Sequence, residues 1–229
     1  VAKFNSLNTI AETRPNLFCL MDEDKGKIFS PIAVKLCDAS KGDRKIFKSQ
    51  LVRLERLLNV LRQEYKFENM VLSHNDLFYR NLIWDLHKKR YQLIDFEYAA
   101  YNPKGMDIFQ FVNEWLTDYD VQGPPYFKLS MGYYPTPEQI NIMIRYYLFW
   151  YEHGDKYEGR EENEELLEEV RQTDAFKAVS EAEVERIAAL FPYFGILANV
   201  FWYFWALQVY HVPGMNFDHV VFAKVKFFM

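Results

Sequence analysis

A short apolar run, Val71-Leu72-Ser73, stops at the polar loop His74 to Asn81, and a second apolar run, Leu82-Ile83, starts at once. The pattern reads as strand, loop, strand, with Asp76 and Asn81 held at the loop by the flanking core. Tyr91-Gln92-Leu93-Ile94-Asp95-Phe96-Glu97 repeats the device: an apolar strand that ends in carboxylates. An Asp and an Asn in one loop, then a second Asp after a strand, suit the holding of a metal–phosphate near a hydroxyl. Asp76 can take a proton, and Asn81 and Asp95 are hard oxygen ligands of the kind Mg²⁺ prefers. The bland alternative is a polar turn followed by a surface hairpin.

Several further motifs stand in register with this loop. His74-Asn75-Asp76-Leu77 with Asn81, Leu93-Ile94-Asp95-Phe96-Glu97-Tyr98-Ala99, Tyr101-Asn102, Asp107-Ile108 and Asn113-Glu114-Trp115 follow in order. Together they resemble the choline/ethanolamine kinase family. The loop alone would not carry the resemblance, since protein kinases and aminoglycoside phosphotransferases share it; the whole run from Ser73 to Trp115 does. The resemblance implies an α+β, mainly α architecture: the C-terminal lobe of a protein-kinase-like fold, with small β-hairpins carrying the catalytic and metal loops. It implies Asp76 as the catalytic acceptor of the proton, Asn81, Asp95 and Glu97 as Mg²⁺ ligands, and ATP as co-substrate over an apolar floor of Ile83 and Ile94. His74 would orient the loop. Asp107 would brace it, and is also placed to cap the following helix.

The same resemblance bears on an aromatic set. Trp202 and Trp205 are spaced to share a helix face, and Tyr119, Phe217 and Phe222 lie elsewhere in the chain. Such a stripe is ordinarily core. However, Phe201-Trp202-x-x-Trp205-Ala206-Leu207 followed by Phe217-Asp218 is similar to the family's C-terminal motif, in which aromatic side chains enclose the substrate's ammonium group. A quaternary ammonium has no N–H to donate, so ring faces and one carboxylate must hold it. The resemblance makes Glu114 that carboxylate. Phe222 stands where many choline kinases have Tyr, and Phe78 where they often have a polar residue. The choice between choline and ethanolamine therefore stays open. The implied activity is ATP-dependent phosphorylation of one of these alcohols, the first step of a CDP-choline or CDP-ethanolamine route to phospholipids. Two alternatives remain: a cation-binding lobe without kinase activity, and a related small-molecule kinase of the aminoglycoside type.

Composition narrows the setting. The chain has 229 residues, 50% of them hydrophobic and 18% aromatic, enough for one large core over residues 1–229. A net charge of −5 without a basic block excludes nucleic acid and anionic membrane surfaces as natural partners. Cys19 and Cys37 lack metal-like spacing, and no signal-peptide pattern opens the chain. Reduced thiols in a cytoplasmic protein are the expectation. From Phe191 to Tyr210 no residue is charged, a run long enough to span a bilayer. It nevertheless holds Pro192, Gly195, Asn199 and Gln208, without flanking Lys or Arg clusters, and is expected to be a fully buried core helix. The family resemblance is compatible with a homodimer.

The remaining expectations concern elements. Residues 1–10 read as a helix without a cap, similar to the one after the hinge between the family's lobes. The smaller β-rich lobe, with its nucleotide-covering loop and phosphate-contacting Lys, is not found in this stretch. Arg14-Pro15-Asn16 breaks the helix, 21–27 and 38–43 are loops, and 44–65 is an amphipathic helix. His87-Lys88-Lys89 joins two strands, and Asn102-Pro103-Lys104-Gly105 is a turn. Asp107 to Trp115 is a helix, and Tyr119 to Tyr134 is irregular. Thr136-Pro137 starts the next helix and Ser180 caps another, leading toward the apolar run after Pro192. The acidic stretch 155–169 reads as an exposed helix with a disordered tip.

Overall fold

The structure is a computed structural model that describes residues 70–209 and 217–228. The expected helices over 1–10 and 44–65, the break and loops between them, both cysteines and the question of a preceding lobe lie outside the described residues. The chain divides into two compact units. Among described residues, one gathers Val71–Leu116 and Gly132–Phe191, and the other Thr117–Met131 and most of Pro192–Met229.

In the first unit, β1 (Met70–Ser73) pairs with β4 (Ala100–Pro103), so the expected turn at Asn102 begins as strand and turns only at Lys104-Gly105. Between them β2 (Leu82–Asp85) and β3 (Arg90–Leu93) form an antiparallel hairpin with Leu82 opposite Leu93 and Asp85 opposite Arg90. Asp85 sets the turn: its Oδ1 accepts the backbone N–H groups of His87 and Lys88. Trp84 and Tyr91 face each other across the ladder with ring centroids 4.9 Å apart, a pairing that stabilises a narrow sheet.

Helix α1 (Met106–Glu114) follows β4, and α2 (Pro137–His153) begins with the expected signals. Thr136 accepts from the Gln139 N–H, and the Gln139 side chain accepts from the Thr136 N–H, a reciprocal cap with Pro137 at the first turn. Helices α3 (Glu164–Gln172) and α4 (Asp174–Lys177) fold back onto α2, where Phe149, Leu166, Val170 and Phe176 form one buried cluster.

The acidic stretch holds part of the expected exposed helix, α3 from Glu164 on, but its tip departs from expectation. A 3₁₀ turn at Gly154–Tyr157 and an extended segment precede α3, and that segment is docked on the hairpin. The Glu162 N–H donates to the Lys89 carbonyl, the Tyr91 N–H donates to Glu162 Oε2, and Lys89 pairs with Glu161. Charge density alone suggested a solvated tip. The open edge of β3 supplies backbone partners that hold the segment instead.

Helix α5 (Glu181–Val209) starts with Ser180 Oγ accepting from the Glu183 N–H and runs through Pro192 without ending. Its part up to Phe191 belongs to the first unit and the rest to the second. Proline removes an N–H and crowds the preceding turn. Continuity is favoured by an inward stripe, Ile187, Phe191, Phe194, Ala198, Trp202 and Ala206, whose three- and four-residue spacing is unbroken across it. The helix is not fully buried as expected: Tyr193 and Ile196 are exposed, and its most apolar window is only 39% buried. By length and composition Glu181–Tyr203 is the one helix among the described residues able to cross a membrane.

In the second unit, the stretch after Thr117 is not wholly irregular, because β5 (Thr117–Asp118) pairs with β6 (Lys128–Leu129). Helix α6 (His219–Phe228) follows, with the Asp218 N–H donating to the Pro125 carbonyl.

Candidate functional site

The loop after β1 is fastened by one buried carboxylate. Asp107 Oδ2 accepts from the His74 N–H at 2.8 Å, and Oδ1 accepts from the Asn75 N–H at 3.0 Å. Bracing the loop is thus what Asp107 does; capping is not. The residue before α1 is Gly105, with φ of 98°, and no side chain caps the helix. Two backbone donors from a facing loop compete successfully for a carboxylate in the first helical turn.

His74 ties this loop to the next. The Asp76 N–H donates to His74 Nδ1 at 3.3 Å, so that nitrogen carries no proton, and Nε2–H donates to the Ile94 carbonyl at 2.8 Å. One imidazole thereby fixes the backbone of Asp76 and of the residue before Asp95. The Ile94 N–H returns a bond to the Asn81 carbonyl at 3.1 Å. Asn81 is buried, and its amide nitrogen donates to the Asp76 carbonyl at 2.8 Å and to Asp76 Oδ2 at 3.0 Å. The sequence reading passed over Asn75, which matters as much. It adopts φ of 65°, donates to the Tyr98 carbonyl at 2.8 Å, and accepts from the Asn102 amide. The available signal was its type: Asn is among the few residues that enter the left-handed region readily, and its amide both donates and accepts.

Asp95 is exposed and also lies in the left-handed region, at φ of 64°. Backbone strain of this kind costs about 1–3 kcal/mol and concentrates at functional positions. Burial is the main cause that pushes Asp76 up to about 6, opposed by the Asn81 hydrogen bond; the charges of Glu114 and Asp95 push it further up. The chain therefore brings Asn81, Asp95 and Glu114 each within reach of Asp76. Glu97 stands exposed two residues beyond Asp95, and Ile83 and Ile94 are exposed on the hairpin.

These donors fit Mg²⁺. Among the described residues no three His, Cys, Asp or Glu side chains form a ready metal cage. This ion is usually held by one or two carboxylates together with waters and substrate phosphates, and the Asn81 amide oxygen is a further hard donor.

The second unit holds the aromatic set together. Trp202 and Trp205 have ring centroids 5.5 Å apart, Phe217 lies 6.4 Å from Tyr119 and 5.1 Å from Phe222, and Trp205 lies 6.4 Å from Phe222. Two members were not foreseen. Phe127 sits 5.4 Å from Phe217 and 5.3 Å from Phe222. His219 sits 5.0 Å from Phe217 and 5.9 Å from Trp205. Neither lies in a sequence motif; only the fold gathers them. The Lys226 ammonium lies 5.2 Å from the Phe222 ring centroid, so one face of that ring already carries a cation.

Comparison with known proteins places the chain in a family. A family model described as Choline/ethanolamine kinase matches residues 2–229. The chain is similar to ethanolamine kinase 2 of Rattus norvegicus, 30% identical over 158 residues, covering 69% of this chain and 33% of that protein. It is similar to probable choline kinase 2 of Arabidopsis thaliana, 25% identical over 82% of this chain and 47% of the relative. The chain thus spans about a third to a half of the length of these curated relatives. Its fold is similar to that of a solved choline kinase from Cryptosporidium parvum Iowa II, with a TM-score of 0.69 at 20% identity, covering 97% of this chain and 57% of that one. That likeness carries the kinase-like fold: mainly helical, with a few small hairpins.

Proposed function

Because the chain belongs to the choline/ethanolamine kinase family, we propose that residues 1–229 form the C-terminal lobe of a kinase that transfers the γ-phosphoryl group of ATP to the hydroxyl of choline or ethanolamine. The observation that carries this reading is the convergence on Asp76: a carboxyl group braced through its backbone, held by Asn81 at one oxygen, and raised toward neutrality by its surroundings. Asn81 fixes Oδ2, which leaves Oδ1 as the atom to orient the alcohol and accept its proton as the oxygen attacks phosphorus. A group ionising near 6 is charged at neutral pH yet basic enough to take that proton.

Asn81 and Asp95 would hold Mg²⁺, with Glu97 reaching a second ion. Bound there, the metal would neutralise phosphate charge. Ile83 and Ile94 would lie under the adenine. In the second unit, Trp202, Trp205, Tyr119, Phe217 and Phe222 would hold the alkylammonium group, each ring contributing about 0.5–2 kcal/mol. Most of the acceleration would come from positioning and charge neutralisation.

The test is kinetic. Asp76→Ala and Asp95→Ala in the full chain should each lower kcat by about 10²–10⁴-fold while circular dichroism and Tm stay near wild type. Near-normal turnover in Asp76→Ala ends the assignment. The acidic limb of the kcat/KM profile should fall as pH drops through about 6.

A further inference from the structure

His219 is the polar member of a cluster otherwise made of rings. It is 4% exposed, on the first residue of α6, with Phe217 on one side and Trp205 on another. Its Nε2 is buried and has no hydrogen-bond partner among the described residues. A buried acceptor or donor left without a partner costs about 1–3 kcal/mol, so such an atom calls for an explanation. The state of the ring follows from its neighbours. Burial lowers its pKa, which favours the neutral form, while the Phe217 carbonyl favours a proton on the side facing it. With Nε2 unpartnered, that proton belongs on Nδ1. Nε2 then presents a bare lone pair. Of the charged residues in the described part of this unit, Asp218 acts on it and favours protonation, and the Lys226 ammonium is engaged with the Phe222 ring. Neither supplies a donor to Nε2.

We propose that His219 is a specificity-determining residue whose Nε2 accepts an N–H from the substrate's ammonium group, so that the site takes primary, secondary and tertiary ammonium alcohols in preference to a quaternary one. This rests on the reading of the ring cluster as the ammonium site. The rings attract any alkylammonium through its charge, and each added methyl increases apolar contact. They do not distinguish a nitrogen that bears hydrogen from one that does not. Nε2 does, because a quaternary nitrogen leaves it buried and unpaired, and sites built to bond a polar hydrogen reject analogues that lack it. Ethanolamine and its N-methyl and N,N-dimethyl derivatives all keep at least one N–H when protonated. Choline has none.

The experiment is a titration of the full chain with these four alcohols, by calorimetry without ATP and by kcat/KM with it. Affinity should change smoothly across the first three and drop by about tenfold or more at choline. His219→Phe keeps a ring and removes the acceptor, and it should abolish the drop. His219→Gln returns an acceptor, so it should restore part of the drop, and it serves if the Phe variant does not fold. A smooth series through choline in the wild type overturns the proposal. So does a drop that persists undiminished in His219→Phe, and so does a folded His219→Gln that binds all four alike. Failure of the wild type to bind or phosphorylate any of the four overturns the ammonium-site reading itself, and is distinct from a bound series without a step.

Discussion

Around Asp76, position is set by hydrogen bonds to backbone. Asp107 holds two N–H groups, and His74 and Asn75 each reach segments some twenty residues away. Around Phe217, position is set by ring contacts between three segments, 117–127, 202–205 and 217–222. The first region needs particular atoms at particular places, whereas the second needs apolar volume and faces. Substitutions should therefore act differently: in the loop through geometry and turnover, in the cluster through affinity.

The largest expected effect lies in the loop. Asp107→Ala leaves the His74 and Asn75 N–H groups without acceptors in a buried setting, at about 1–3 kcal/mol each. Stability should fall by about 3–5 kcal/mol in urea titrations, and any folded fraction should show reduced kcat. Asp107→Asn keeps one acceptor and should sit between. If Asp107→Ala unfolded at the wild-type urea midpoint, the loop would not depend on that brace.

Next is a substitution that should gain stability while losing activity. Asp76 binds its proton more tightly folded than unfolded, since its pKa rises from 3.8 to about 6. Its ionisation is therefore unfavourable to folding: absent at pH 4, growing as pH rises through 6, and constant above. Asp76→Asn should raise stability by about 1–3 kcal/mol at pH 7.5 and by little at pH 4. An equal gain at both pH values would show that the charge is not responsible.

The ring cluster should respond more mildly. Trp205→Ala removes one face, and about 0.5–2 kcal/mol of ammonium attraction with it. That raises KM several-fold with kcat changed much less. A kcat loss as large as that of Asp76→Ala would erase the distinction between the two regions.

The same distinction explains what could be read before the fold was known. His74, Asp76, Asn81 and Asp107 occur at fixed spacing because short loops leave little choice of where a donor meets its acceptor. That they meet was legible, except that Asp107 was also credited with a cap it does not form. Asn75 stood in plain view, but nothing in its neighbours reveals a left-handed backbone. Phe127 and His219 were illegible for another reason: ring contacts between distant segments impose no spacing. Likewise the stripe across Pro192 was hidden by uniform hydrophobicity, because when nearly every residue is apolar the periodicity that marks a buried face disappears.

The smallest effect is expected in the acidic segment, where two kinds of contact coexist. Arg160 makes a bidentate pair with Glu169, but both side chains are about half exposed. An exposed pair gains little over water and is screened by salt. The segment is also held by the bond from the Glu162 N–H to the Lys89 carbonyl, which no side-chain substitution removes. Arg160→Met should therefore leave Tm unchanged within scatter between repeats, and hydrogen exchange at Glu162 should remain slow. Glu162→Ala deprives the Tyr91 N–H of its acceptor and should speed exchange at Tyr91 without altering the loop at Asp76. If Arg160→Met instead released the segment, the ion pair rather than the strand edge would be its anchor.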